Sequence, residues 1–304
     1  QKQLNELRTS PVSLNLEATI VYYAGKGLIN QQIDEAAKGL SDKLTTDPNN
    51  RLVMFLAVNM LVKNSQSEDA WTLIQNLDAH NSGLTLPYIE YIRGEILMQK
   101  NRYEEAIAAY QKFIRIYKAD SFKKDATVKI ALCYYLNGKT SQASTYWEKA
   151  KKTGKVKYDP DISAASFLTE KPFPNEKILK TRIYTDGGYY KEAKSVLQTI
   201  IPSDLKTYKE QVEYYYRKAR LAHKTNDLGA AELFYAQTID MIGDNPWYFG
   251  ANSALQLGYI YKAKGNNKEA RYYFEKALSY KKHEYKNSID SKAKSALEQF
   301  SSVK

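Results

Sequence analysis

The sequence predicts an all-α chain, a solenoid of about seven helix hairpins with a capping helix near its C-terminal end. Three observations predict it. Apolar residues recur at helical spacing through most of the 304 residues, and no period-two alternation of useful length interrupts them. A pattern of small and large residues returns with starts near 17, 51, 87, 124, 174, 212 and 251, at intervals of 34 to 50 residues. Short polar turns such as Gly265-Asn266-Asn267 divide each unit in two. A hairpin of this kind cannot bury its apolar face alone, so neighbours must stack.

Gln1 to Arg8 carries Leu4 and Leu7 on one helical face before Ser10-Pro11 breaks it, and reads as the second helix of an earlier unit or a leading cap. From Glu17 the pattern runs through Ala24, Ala36 and Leu40 to the exit turn Asp47-Pro48-Asn49-Asn50. The unit from Arg51 has Val58, Leu61, Ala70 and Ile74, with Ser65-Gln66-Ser67 as its inner turn. Pro87 opens a third, with Gly94, Leu97, Ala106 and Tyr110, and Lys124 a fourth, with Ala131, Tyr134, Gly138, Ala143, Trp147 and Ala150. These units make an N-terminal block, residues 1–157. Residues 158–173, with Pro160 and Pro172, interrupt the period and read as a linker or insertion in which DISAASFL forms a short amphipathic helix. The C-terminal block, residues 174–304, holds units from Pro174, Val212 and Ala251. The first of these has Tyr184, Gly187-Gly188, Ala193 and Leu197, with Thr181 in place of a small residue; the second has Ala219, Ala222, Ala231 and Tyr235. Ile289, Ala293, Ala296, Leu297 and Phe300 then place a capping helix over residues 288–300.

The clearest unit is residues 251–284. Gly258, Ala270 and Ala277 let two helices approach, and Tyr261 and Phe274 fill the space between them. This spacing resembles the tetratricopeptide repeat, whose pattern has a small residue at position eight, a bulky one at eleven, Ala at twenty, an aromatic at twenty-four and Ala at twenty-seven. Lys282 stands where the family usually has Pro. The resemblance implies a right-handed superhelix with a concave face. More narrowly, the GGYY-x-x-A turn at Gly187 to Ala193, with ALQLG at Ala254 to Gly258 and HEYKNSID-x-KAK at His283 to Lys294, resembles a group of exported bacterial repeat proteins of unassigned function. That likeness implies an envelope or periplasmic location.

The apolar share of 43% is enough for a sizeable core, and no stretch is long and apolar enough to span a bilayer. The chain begins at Gln1 without an initiator Met, which fits a processed or trimmed chain. Cys133 is the sole cysteine, so no internal disulfide forms; within ALCYYL it reads as a buried, inert thiol. The net charge of +11 allows acidic partners, but long Lys/Arg blocks are missing, which weighs against nucleic acid. Tyrosine is unusually frequent, 26 against 9 Phe, and its apolar ring with a polar tip suits half-buried seams and binding grooves.

No constellation for catalysis is visible. His80, His223 and His283 lack partners at metal-ligand spacing, and Gly25-Lys26-Gly27 lacks the leading glycine and strand of a phosphate loop. Carboxylate pairs such as Glu104/Glu105 sit at helix starts, where the helix dipole favours them. We therefore expect no catalytic residues, no cofactor, no metal and no enzyme. In the resembled family, set positions of each first helix face the groove. Carried over, they are Phe55 and Asn59; Tyr88, Tyr91 and Glu95; Val128 and Tyr135; Arg182; Glu213, Tyr216, Arg217, Arg220, His223 and Lys224; and Asn252, Gln256, Tyr259 and Lys262. The expected groove is aromatic toward its N-terminal half and basic toward its C-terminal half. It suits a peptide or protein segment, with Arg217 and Arg220 reading a carboxylate. Glu213 stands where a dicarboxylate clamp needs Lys. Two other readings stay open, a binder of an anionic polymer (nucleic acid or acidic polysaccharide) and a module of a larger envelope complex.

Overall fold

The computed structural model describes residues 22–29, 32–47, 50–80, 86–169 and 173–301. The leading stretch Gln1–Arg8, Ser10-Pro11, Glu17, Pro48, Asn49 and Pro172 lie outside the described residues. Among those described the chain is helical throughout, with no strand. A π-helical stretch, Gly25–Ile29, precedes α1 (Ile33–Thr46). Four hairpin pairs follow one another: α2 (Arg51–Lys63) with α3 (Ser67–His80), α4 (Pro87–Gln99) with α5 (Tyr103–Ile116), and α6 (Lys123–Leu136) with α7 (Thr140–Lys152), then, after the lone helix α8 (Asp159–Leu168), α9 (Glu176–Gly187) with α10 (Tyr190–Gln198). α11 (Tyr208–Lys224) pairs with α12 (Leu228–Ile242), α13 (Tyr248–Ala263) with α14 (Asn267–Ser279), and α15 (Lys286–Ser301) covers the end. The chain is an all-α solenoid of hairpins, as its periodicity predicts.

The hairpins share one turn chemistry. Ser65, Asn101, Gly138, Gly188, Asn226 and Gly265 each take positive φ, two residues or fewer beyond a first helix. The amide after each of them donates back to a carbonyl five residues earlier, as in Arg102 to Leu97 at 2.9 Å and Asn266 to Tyr261 at 2.9 Å. A left-handed residue there closes the last turn of the helix, which is why Gly and Asn recur at the position. Two of the second helices, α12 and α14, start from side-chain caps: Asp227 accepts from the Ala230 amide at 3.1 Å, and Asn266 from Glu269 at 3.2 Å.

Within a hairpin, small residues set the spacing. A Cβ at Gly94 would lie 2.7 Å from the Tyr110 ring, and one at Gly258 would lie 2.6 Å from the Phe274 ring. Both rings are fully buried. Thr181, the non-small residue of its unit, is also fully buried and turns its hydroxyl onto the Lys177 carbonyl at 2.8 Å. Gly27 meets Met60 and Ala36, so the Gly-Lys-Gly stretch serves packing. Cys133 is buried, and burial pushes its thiol well above the usual range, so it is inert.

The solenoid does not stay open. α8 lies against α6 and α7 and touches α15. Beyond it, α9 packs against α4 and α2, and α15 reaches the π-helical stretch. The α9–α10 turn docks on the turns of the second and third hairpins. A Cβ at Gly188 would lie 2.1 Å from the Ser65 carbonyl oxygen, and one at Gly187 would lie 2.9 Å from Gln99. Asn101 Nδ2 donates to the Tyr184 hydroxyl at 2.7 Å, and the Tyr189 hydroxyl donates to Glu68 at 2.6 Å.

Candidate functional site

The positions expected to face a groove lie on the first helices α2, α4, α6, α9, α11 and α13. In the N-terminal half the aromatics make a core. Tyr88 and Tyr91 stack at 5.1 Å between centroids, and Phe55, Phe113 and Phe122 approach edge-on at 4.8–6.3 Å. Tyr91 is buried, its hydroxyl on Asp125 at 2.5 Å. Tyr135 stacks on Phe173 at 4.7 Å. Burial holds the Tyr88 and Tyr91 hydroxyls well above their ordinary range.

In the C-terminal half, Tyr216 and Arg217 are buried too. Arg217 donates to Glu213 at 2.5 Å and to the Tyr248 hydroxyl at 3.1 Å, and it lies over the Tyr216 and Phe249 rings. The expectation that Arg217 reads a ligand carboxylate therefore meets an arginine already engaged. Lys262 donates to Gln299 of α15, and Tyr259 is half-buried against Phe274. Arg182, Arg220 and Lys224 are partly exposed. Tyr235 interacts with Arg220 and, at 3.3 Å, with His223 Nδ1. Burial, with Arg220 and Lys224 beside it, lowers His223 to about 4, so the ring is neutral at pH 7.

Lys292 of α15 joins this basic group, although no repeat position points to it. Burial and the charge of Arg220 lower Lys224 to about 8, against Asp186 and Asp34. Burial, Lys63 and Arg220 lower Lys292 to about 8. No group of three or more His, Cys, Asp or Glu suited to a metal occurs among the described residues, and none of the described helices is long and apolar enough to cross a membrane.

A cavity of about 140 Å³ lies inside the stack between α4, α6, α8 and α9. Its walls include Glu95, Asp125, Lys129, Arg182, Asp186 and Tyr110. Asp125, Lys129 and Asp186 occupy groove positions of their units by the same rule that selects Glu95 and Arg182. A cleft of about 330 Å³ lies beside it, lined by Trp147, Phe167, Phe173 and Trp247 with Glu210 and Glu213.

The tetratricopeptide repeat family model matches residues 91–120 and 251–284. Similar solved structures include a tetratricopeptide repeat protein from Parabacteroides merdae, at 15% identity over 98% of this chain and 100% of that one, TM-score 0.37. Another is the C-terminal part of a TPR repeat-containing protein from Cytophaga hutchinsonii, at 18% identity over 88% and 98%, TM-score 0.36. The apo quorum sensor NprR from B. thuringiensis aligns at 16% identity over 97% and 91%, TM-score 0.45. The two matched segments are those in which Gly94 interlocks with Tyr110 and Gly258 with Phe274, the small-against-large contacts of a tetratricopeptide repeat.

Proposed function

We propose that the chain is a non-enzymatic interaction scaffold whose inner basic surface holds an acidic segment or a C-terminal carboxylate of a protein partner. The observation that carries this reading is the approach of Lys224 and Lys292 to Arg220, with Arg182 of a third helix sharing Asp186 with Arg220. Lysines held near 8 by desolvation and like charge gain most from an incoming anion, because it supplies the counter-charge that the fold does not. Arginine forks on the same surface suit carboxylate geometry. Tyr88, Tyr91, Tyr135, Tyr216 and Arg217 then act by shaping this surface from behind, and Tyr259 and Lys262 form its C-terminal margin.

The test uses an oligoglutamate peptide as probe against the wild type and an Arg220→Glu, Lys224→Glu double variant. The expected result is at least a tenfold loss of affinity with helicity and Tm preserved. Equal affinity of the two proteins removes the reading. Binding of oligonucleotides or acidic glycans with equal strength and a steep salt dependence replaces it with an anionic-polymer binder.

A further inference from the structure

The cavity between α4, α6, α8 and α9 has features that packing does not account for. The Tyr110 side chain is fully buried at its wall, and its hydroxyl makes no hydrogen bond among the described residues. A buried polar atom without a protein partner is destabilising unless something in the adjoining space answers it, and here that space is the cavity. One wall, from α4 and α6, carries Glu95, Asp125 and Lys129. Lys129 bridges Glu95 at 2.5 Å and Asp125 at 2.9 Å, leaving that group with one net negative charge. The other wall, from α9, carries Arg182, whose Nε lies 3.7 Å from Asp186, beyond hydrogen-bond distance. Asp186 also interacts with Arg220, so it does not engage Arg182 alone, and the Arg182 guanidinium keeps N–H groups to spare. Between the charged walls lie Met98, Leu132 and Leu179, and Phe167 of the inserted helix closes the space.

We propose that this cavity binds a small aminocarboxylate, a zwitterion whose carboxylate meets Arg182 and whose ammonium meets Glu95, Asp125 and the Tyr110 hydroxyl on the opposite side, around a compact apolar body. The volume corresponds to about five water molecules at roughly 30 Å³ each, so the ligand has about six to nine heavy atoms. A monocarboxylic acid alone leaves the negative wall and the phenol unanswered, and an amine alone leaves the guanidinium without an acceptor. The site adjoins the surface proposed for a protein partner and shares Arg182 with it, but Glu95, Tyr110 and Leu132 belong to the cavity alone, and none of the variants used there is used here.

The full chain is titrated calorimetrically with L-leucine and 5-aminopentanoate as aminocarboxylates of short and long charge separation, and with 4-methylpentanoate and isopentylamine as single-charge analogues. One aminocarboxylate is expected to bind at least tenfold tighter than both analogues. Arg182→Gln and Glu95→Gln should each weaken it at least tenfold. Tyr110→Phe should raise the Tm of the unliganded protein while weakening the ligand, a combination that a purely structural tyrosine does not give. If Arg182→Gln or Glu95→Gln fails to fold, Leu132→Phe, which fills the cavity without touching a charge, should abolish binding at undiminished Tm. Absence of binding by both aminocarboxylates, equal binding of an analogue, or unchanged affinity in Leu132→Phe overturns the proposal.

Discussion

His223 shows how strongly the inner surface acts on single side chains. Burial and the cations Arg220 and Lys224 lower it to about 4 from the ordinary 6.5. A depressed histidine contributes stability that is fully present above pH 6.5 and is lost as the pH falls from 6.5 toward 4, because the unfolded chain takes up the proton first. Thermal melts across that window should show a falling Tm, and His223→Gln should flatten the fall; a parallel profile in the variant contradicts the assignment. Lys224 and Lys292, both about 8, give a second test. An acidic peptide stabilises their charged forms, so binding at pH 8 takes up protons and affinity declines as the pH rises beyond 8. Calorimetry in buffers of different ionisation enthalpy measures that uptake directly. Position in the repeat selects Arg182, Arg220 and Lys224, and the same rule reaches Asp125, Lys129 and Asp186. It could not reach Lys292, which belongs to the capping helix, nor foresee that Tyr91, Tyr216 and Arg217 are covered. Their cover comes from residues far away in sequence, and periodicity within one unit carries no information about those.

At the scale of elements, α8 has a structural task beyond filling space. Phe122 precedes α6 with φ 64° and no side-chain cap of its own. Asp161, from α8, supplies the cap: its carboxylate accepts from the Phe122 amide at 2.7 Å and the Asp125 amide at 3.1 Å, and it is fully buried. Asp161→Ala leaves two buried amides without acceptors and should cost about 1–3 kcal/mol. Denaturant melts measure the loss, and hydrogen exchange should quicken first at the start of α6. A loss under about 0.5 kcal/mol would mean that water replaces the carboxylate. The hairpins from α2 onward were legible because turn chemistry and helix period agree in them. A break in the period over 158–173 was legible, and α8 lies within it. The destination of that helix was not, since a cap reaching across 36 residues follows no local rule.

At the scale of the molecule, the docked turns decide how the solenoid behaves. An open stack of repeats melts as a set of neighbours, each unit depending on the next. Here the second and fifth hairpins are joined through Ser65 and Gly188, and α15 meets the π-helical stretch. Gly188→Ala is disfavoured twice, by φ 89° and by the Ser65 carbonyl oxygen at 2.1 Å from the added Cβ. It should lower Tm by several degrees and separate the melting of the two halves, which differential scanning calorimetry resolves as a second peak. The chain was legible as a solenoid because stacking follows from each unit's apolar face; its closure was not, because Gly187-Gly188 reads equally well as an ordinary turn. That close contact also bears on the chain's history. Solenoids commonly lengthen by duplicating a unit of about 34 residues, and in an open stack the copy merely extends the rod. Between residues 65 and 188 an added unit would carry Tyr184 and Tyr189 away from Asn101 and Glu68. Repeat number in that interval is thus fixed by geometry, and gain or loss of whole repeats is confined to the stretches outside it.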